Sequence, residues 1–278
     1  MKRKILLPTD FSENASSAIK YAIKLYDSEP CVFYLLHTWT FTNTGTRTYI
    51  TTSYIDDLKE TSEKKLKALK EKVEAESNNA DHEFKTLFCV NDFLKCMELN
   101  VEKYKIDMII MGTKGSSGIH QFLFGSNTVA LMNKIQSCPI LAVPDAFEFV
   151  TPKFVGFPTD YNHFYDNELE QIKDLSNLYG SKIKVFYVSK KCILSEKQNY
   201  NFTMLKAYLE DYPTSFHWGE GVANKEVAIN TFVNEFKIDI LTMINYKHSF
   251  IEDIVKEPVI KKIGFHPKVP FLVIPSVG

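Results

Sequence analysis

The stretch that decides the fold is ILLPTD at residues 5–10, because it returns later in the chain as FVGFPTD at residues 154–160. Three further matches follow in the same order. They pair residues 33–38 with 183–188, IDMIIM at 106–111 with IDILTM at 238–243, and CPILAVP at 138–144 with VPFLVIP at 269–275. Several matches in the same order indicate an internal repeat. The chain is therefore a tandem duplication.

Short apolar runs alternate with helical patterns in each copy. After the first strand, Ser12 stands as an N-cap before apolar residues at helical spacing, namely Ala15, Ile19, Ala22, Ile23 and Tyr26. A Lys/Glu-rich helix with a solvated charged face is predicted over residues 57–76, and Asp92 is predicted to cap a third helix. Continuous apolar strands with intervening helices predict an α/β fold whose parallel sheet is covered on both faces.

The boundary between the copies falls near residues 147–153, around Pro152. We therefore predict one domain over residues 1–147 and a second over residues 151–278. Because the connection is short, the two domains are expected to pack against each other. The middle region of the second copy is shorter than that of the first.

Composition excludes some classes of function. The formal net charge is −1, from 33 basic and 34 acidic residues, so no basic excess supports binding to nucleic acid. Neither a membrane span nor a secretory signal is expected, because the apolar run after the basic N-terminus stops at Pro8 and no run approaches about 18 apolar residues. The five cysteines are odd in number and widely spread. They are interpreted as buried reduced thiols, which places the protein in the cytoplasm.

Glycines and small polar residues follow the strand at residues 108–111. GTKG at residues 112–115 ends this strand, and GSNT at residues 125–128 opens a helix. Glycines let backbone N–H groups approach a ligand closely, and a helix N-terminus attracts anions. Asp10 follows the first strand, and thus lies at the same edge of a parallel sheet, where ligands of such sheets bind. The arrangement predicts a phosphate site that is neither a Walker loop nor a dinucleotide fingerprint.

These residues carry a family resemblance. The pattern Gly-x2-Gly-x9-Gly-Ser at residues 112–126, with PTDFS at 8–12 and LLHT at 35–38, resembles the ATP-binding branch of the universal stress protein (UspA-like) family, in its tandem two-domain form. The resemblance implies two Rossmann-like domains of the adenine nucleotide alpha hydrolase-like type. Each would hold a five-stranded parallel sheet in the order 3-2-1-4-5.

The resemblance also implies roles for individual residues. It assigns Thr9 and Asp10 to the adenosine moiety, Thr38 to the adenine pocket, Gly112 and Gly115 to the ribose and phosphates, and Gly125, Ser126, Asn127 and Thr128 to the phosphate tail. Asn127 would contribute mainly its backbone. The implied ligand is ATP, with Mg²⁺, or ADP or AMP in its place.

The second copy departs from this pattern. Ile244 and Lys247 replace Gly112 and Gly115, and Glu257-Pro258 falls near the position of Gly125-Ser126. Bulky side chains, a carboxylate and a missing N–H donor each oppose a phosphate. We expect that this copy binds no nucleotide through its loop and that Asp160 is a turn residue.

Other residue patterns predict no catalytic or metal centre. The seven histidines share no metal-ligand spacing, and His37 is interpreted as a hydrogen-bonded strand residue. No nucleophile signature is present.

Three functions remain open. The chain is a nucleotide-dependent stress-response regulator, a slow ATPase or phosphoryl-transfer enzyme, or a nucleotide-independent dimerisation scaffold. The second domain would serve as a built-in partner in a pseudo-dimer whose final strands pair. A homodimer of the whole chain is a further alternative.

Overall fold

The structure, a computed structural model, describes residues 2–40, 52–113, 125–188, 193–219, 225–246 and 268–276. These residues form two compact units, one reaching Phe149 and one beginning at Val150. No helix in the described ranges is long and apolar enough to cross a membrane.

The first unit alternates strands and helices throughout. Its elements are β1 (Arg3–Pro8), α1 (Glu13–Leu25), β2 (Cys31–Trp39), α2 (Thr52–Glu76), β3 (Glu83–Val90), α3 (Phe93–Tyr104), β4 (Met108–Gly112), α4 (Ser126–Lys134) and β5 (Ile140–Val143). The strands lie in the order β3-β2-β1-β4-β5, and all neighbouring pairs are parallel. This confirms the predicted 3-2-1-4-5 order. All five strands therefore end at one edge of the sheet.

The central strand β1 is covered on both faces, since Ile5, Leu6 and Leu7 are all fully buried. The predicted caps are confirmed, because Ser12 accepts a hydrogen bond from the Ala15 N–H and Asp92 accepts from the Leu94 N–H. Charged side chains of α2 face solvent in i,i+4 pairs, as expected from its composition.

The second unit repeats the architecture with shorter connections. Its elements are β6 (Phe154–Thr159), α5 (Leu169–Tyr179), β7 (Lys182–Val188), α6 (Glu196–Tyr208), β8 (Thr214–Gly219), α7 (Lys225–Glu235), β9 (Ile240–Asn245) and β10 (Phe271–Pro275). The order β8-β7-β6-β9-β10 is again 3-2-1-4-5, with parallel neighbours. Helix α6 has 13 residues where α2 has 25, which accounts for the shorter middle region.

The repeated Ile-Asp dipeptide has a structural cause in both units. The Asp107 carboxylate accepts the Lys4 N–H at 2.7 Å. Asp239 accepts the N–H groups of Lys153 and Phe154 at 2.8 and 2.9 Å. Each aspartate thus anchors the start of the first strand of its own unit.

The interpretation of all cysteines as reduced thiols is wrong for one pair. Cys89 at the end of β3 and Cys96 on α3 form a disulfide, with Cα atoms 6.1 Å apart. A strand end and the first turn of the following helix bring two residues seven positions apart within bonding reach. Cys31 and Cys138 are buried free thiols, and burial raises the pKa of each to about 12. Cys192 lies outside the described residues.

Candidate functional site

The PTD segment forms a tight turn at the carboxyl end of β1. Thr9 Oγ1 accepts the Phe11 N–H at 3.0 Å, and Asp10 Oδ1 accepts the Ser12 N–H at 3.0 Å. Phe11 has a φ of 64°, a left-handed conformation that costs a non-glycine residue about 1–2 kcal/mol. The two side-chain hydrogen bonds hold this turn, and the exposed Asp10 carboxylate stands at the edge of the sheet.

His37 supports the same turn from the neighbouring strand. Its Nδ1 lies 2.8 Å from the Thr9 carbonyl oxygen, and a carbonyl only accepts, so this nitrogen carries the proton. Burial lowers the pKa of His37, which keeps the ring neutral. The interpretation of His37 as a hydrogen-bonded strand residue is confirmed, and the sequence did not reveal its partner.

Gly112 ends β4 beside the first turn of α1. A Cβ atom built at this position would lie 2.7 Å from Asn14 Cγ, too close for any real side chain. Asn14 is 6% exposed and packs where a side chain on residue 112 would lie. Gly112 is therefore required by packing within the fold, in addition to any approach of its backbone to a ligand.

The N-terminus of α4 is an anion-attracting feature at this edge. Gly125 is the N-cap residue; among the described residues no side chain caps this end of α4, and its first turn holds no acidic residue. Ser126 and Asn127 are both exposed. Uncapped N–H donors and the positive end of the helix dipole are the features that bind phosphate.

Thr128 ties this helix to the strand. Its hydroxyl donates to the Gly112 carbonyl oxygen at 3.2 Å, and the residue is 1% exposed. The Gly125 N–H also donates to the Thr113 carbonyl. These contacts place the start of α4 against the end of β4, with the Thr128 hydroxyl turned to the strand.

Thr38 lies on β2 opposite Cys89 of β3 and is half-buried. The disulfide to Cys96 therefore borders the position assigned to the adenine pocket. The Nζ atom of Lys65 on α2 lies 5.6 Å from the Phe11 ring centroid. Its charge adds to the effect of burial in lowering the pKa of His37. It supplies a positive charge on this side of the edge.

The structure thus places Thr9, Asp10 and Thr38 at strand ends of one sheet edge, and joins Gly112 to Thr128 by a hydrogen bond. Gly115, Lys114 and His120 lie outside the described residues. Sequence reasoning missed Asn14, which has no motif signal. It also missed Lys65, which is one of many lysines on α2.

The second unit repeats the turn. Thr159 Oγ1 accepts the Tyr161 N–H and Asp160 Oδ1 accepts the Asn162 N–H, both at 3.0 Å. Ile244 pairs with Ile274 as Gly112 pairs with Val143, so the register sets a bulky residue where the first unit has glycine. Lys247, Glu257 and Pro258 lie outside the described residues.

Comparison with known proteins gives consistent matches. A sequence model of the universal stress protein family matches residues 1–144. A universal stress protein of Methanocaldococcus jannaschii is 30% identical over 145 residues, which are 51% of this chain and 81% of that protein.

Solved structures extend the likeness to the whole chain. A universal stress protein from Archaeoglobus fulgidus has a TM-score of 0.71 at 19% identity, covering 98% of this chain and 95% of that one. A functionally unknown protein from Pseudomonas aeruginosa has a TM-score of 0.59 at 13% identity, covering 98% and 92%. At such low sequence identities, these two structural similarities indicate a shared fold alone, not a shared function.

Proposed function

The chain belongs to the universal stress protein family, and we propose that its first unit binds an adenine nucleotide and acts as a nucleotide-dependent stress-response regulator. The ligand is ATP with Mg²⁺, or ADP or AMP in its place. The proposed contacts are those assigned to Thr9, Asp10, Thr38, Gly112, Gly115, Gly125, Ser126, Asn127 and Thr128.

One observation carries the proposal, the uncapped start of α4 held against the end of β4. The Thr128 hydroxyl fixes the helix to the Gly112 carbonyl, so the N–H groups of the first turn are positioned before any ligand arrives. A rigid, positively polarised set of donors at the carboxyl edge of a parallel sheet suits a phosphate group.

The ends of β1 and β2, on the other side of this edge from the start of α4, suit the nucleoside part of the ligand. Thr38 offers a hydroxyl, and neutral His37 fixes the Thr9 carbonyl without adding charge. The Phe11 and His37 rings, 4.6 Å apart, form an aromatic surface beside the turn. Such a surface accepts a planar base by stacking.

Mg²⁺ would arrive with the phosphates. The described residues contain no group of three or more His, Cys, Asp or Glu side chains arranged to hold a metal. Mg²⁺ keeps several waters and commonly needs only one or two carboxylates beside the phosphates, so a dedicated cluster of protein ligands is not required. When bound, the ion would neutralise phosphate charge, and we expect at most slow hydrolysis.

We further propose the domain limits 1–147 and 151–278, with the second domain as an intramolecular partner and a homodimer of the chain as an additional level of assembly. We keep the cytoplasm as the proposed site of action because adenine nucleotides are abundant there; the cysteines no longer support it, since Cys89 and Cys96 form a disulfide.

The experiment compares two substitutions at one N-cap, Gly125→Asp and Gly125→Asn. Both side chains cap a helix about equally well, so both variants should be as stable as the parent or slightly more stable. Only Asp brings a negative charge to the phosphate. We expect isothermal titration to show ATP affinity at least tenfold lower for Gly125→Asp than for Gly125→Asn, about 1.4 kcal/mol.

Equal ATP affinities for the two variants would show that the phosphate group does not bind at the start of α4. Denaturing the purified chain and chromatographing the released small molecules is the companion measurement. An adenine nucleotide at about one per chain supports the proposal. Failure of millimolar ATP to bind the ligand-free protein contradicts it and leaves the scaffold function.

A further inference from the structure

The second unit has a cleft of its own at the carboxyl edge of its sheet. Its cavity volume is about 60 Å³, and it opens to solvent, so a planar ring would fill it while larger substituents would project into the solvent. Its apolar lining comes from three strands and helix α7, namely Phe157, Val188, Ile229, Met243 and Ile244. The cleft exists because the turn after β6 is followed by a different backbone path from that after β1.

That path is a delayed helix. Helix α1 starts at Glu13, directly after its turn, whereas α5 starts only at Leu169. The intervening segment brings His163 and Tyr165 into the cleft lining. The second unit thus exchanges a helix start for a segment rich in aromatic residues.

One wall of the cleft consists of stacked rings. His163 and Tyr246 lie 4.0 Å apart with an interplanar angle of 2°. The Tyr246 hydroxyl donates to the Glu168 carboxylate at 3.2 Å, which helps to hold this ring in place. Tyr165 is buried deeper, and its hydroxyl bonds to that of Thr159. Flat rings held in place form a stacking surface for another planar group.

The charges in the cleft lining compensate one another. Lys225 Nζ lies 3.8 Å from Asp160 Oδ2, and burial lowers the pKa of His163, which favours the neutral ring. At the position that corresponds to Gly112, a phosphate would meet the Ile244 side chain rather than an open backbone.

We propose that this cleft binds an uncharged planar aromatic molecule, such as a nucleobase, a nucleoside without phosphate, or an indole-like ring. The apolar residues bury its faces, the His163–Tyr246 pair stacks on it, and Asp160 and Lys225 offer an acceptor and a donor at the mouth. The second unit is then a sensor for a different ligand, independent of nucleotide binding in the first.

Methyl NMR on the full chain tests this, with ¹³C-labelled Ile and Met methyl groups. The probes are adenine, adenosine and indole, with AMP as the charged counterpart of adenosine. We expect at least one uncharged probe to shift Met243 and Ile244 saturably, with AMP at least tenfold weaker at the same methyls. Purines and indole acting alike would indicate general aromatic binding, and a purine response alone would indicate a nucleobase. Both outcomes support the proposal.

Three results would overturn it: no shift with any uncharged probe, equal shifts with AMP and adenosine, or shifts confined to Met111 of the first unit. The last would assign the binding to the nucleotide site, so failure here and failure of the proposed function remain distinguishable.

Substitutions locate the binding. Ile229→Phe fills the cleft and should weaken binding at least fivefold. Val227→Phe is the matched control, because Val227 lies on the same helix and is 58% exposed. His163→Ala, at a half-buried position, removes one stacked ring without touching the core and should also weaken binding. Unchanged affinity in both Ile229→Phe and His163→Ala contradicts the assignment.

Discussion

Asp10 and Asp160 accept equivalent backbone hydrogen bonds in the two units, each from the residue two positions on and each at 3.0 Å. Phe11 and Tyr161, which follow them, both adopt left-handed backbone, at φ 64° and 55°. The repeated Pro-Thr-Asp is therefore a turn motif in both units. Its recurrence indicates common ancestry of the backbone and does not by itself indicate a shared ligand.

The units differ in what surrounds this turn. The first has a glycine at the end of β4, against Asn14 of an immediately starting helix. The second has Ile244 at the matching register and an aromatic segment before its helix starts. Both differences lie beside an unchanged turn, and they are the basis on which we propose different ligands for the two units.

The largest expected effect comes from exchanging the residues at the matching register. Gly112→Ile should destabilise the first unit by about 3 kcal/mol through overpacking against Asn14 and lower ATP affinity at least a hundredfold. Ile244→Gly should destabilise the second unit by about 4 kcal/mol, because a buried side chain is lost from a strand. It should confer no ATP binding. Urea unfolding checks the stabilities, and titration checks the binding.

The two tryptophans allow the unfolding of each unit to be measured separately in these variants. Trp39 lies in the first unit and Trp218 in the second, so a Trp→Phe change at either position leaves fluorescence from the other. Adding Asn14→Ala to Gly112→Ile should restore part of the lost stability. If it restores none, the clash with Asn14 is not the reason for glycine at this position.

An intermediate effect is expected from two buried threonines, changed to the isosteric valine. Thr128 donates to the Gly112 carbonyl at 3.2 Å, and Thr242 donates to the Gly156 carbonyl at 2.8 Å. Each change should cost its unit about 1 kcal/mol in unfolding free energy, the usual worth of one hydrogen bond. Thr128→Val should also weaken ATP binding several-fold, because α4 loses its anchor, whereas Thr242→Val should leave ATP affinity unchanged. If both variants bind ATP with equal affinity, the Thr128 hydrogen bond does not contribute to the nucleotide site.

The smallest effect concerns pH. Burial lowers the pKa of His37 in the folded first unit below its ordinary value of 6.5. Below about pH 6.5 the unfolded chain therefore binds more protons than the folded chain. The free energy of unfolding is highest above that pH and decreases as the pH falls toward the folded-state pKa. His37→Gln should flatten this part of the urea-midpoint profile between about pH 7.5 and pH 5. His163, whose pKa is also lowered by burial, is the counterpart for the second unit. A profile unchanged by His37→Gln would mean that the ring titrates alike in both states.

The repeat and the helix caps Ser12 and Asp92 could be predicted from the residues themselves, because they depend on local motifs, hydrogen bonds and apolar spacings. The glycine pattern belongs to the same class, because it marks where the backbone itself must be open. The strand order was implied by the resemblance to a known family. The substitution of Ile244 for Gly112 was equally readable, since the repeat supplied the alignment.

Only the tertiary structure decided which side chains share space. Asn14 meets Gly112 and His37 meets the Thr9 carbonyl because parallel strands end at one edge. Cys89 bonds Cys96 because the first turn of α3 packs beside the end of β3. The aromatic cleft of the second unit likewise arises when a delayed helix start sets His163 against Tyr246, far apart in the chain. Contacts of this kind depend on how helices and strands are placed relative to one another, and local sequence patterns carry no information on that placement. The sequence by itself determined two copies of one sheet, whereas the tertiary structure decided which side chains surround the shared turn at each carboxyl edge.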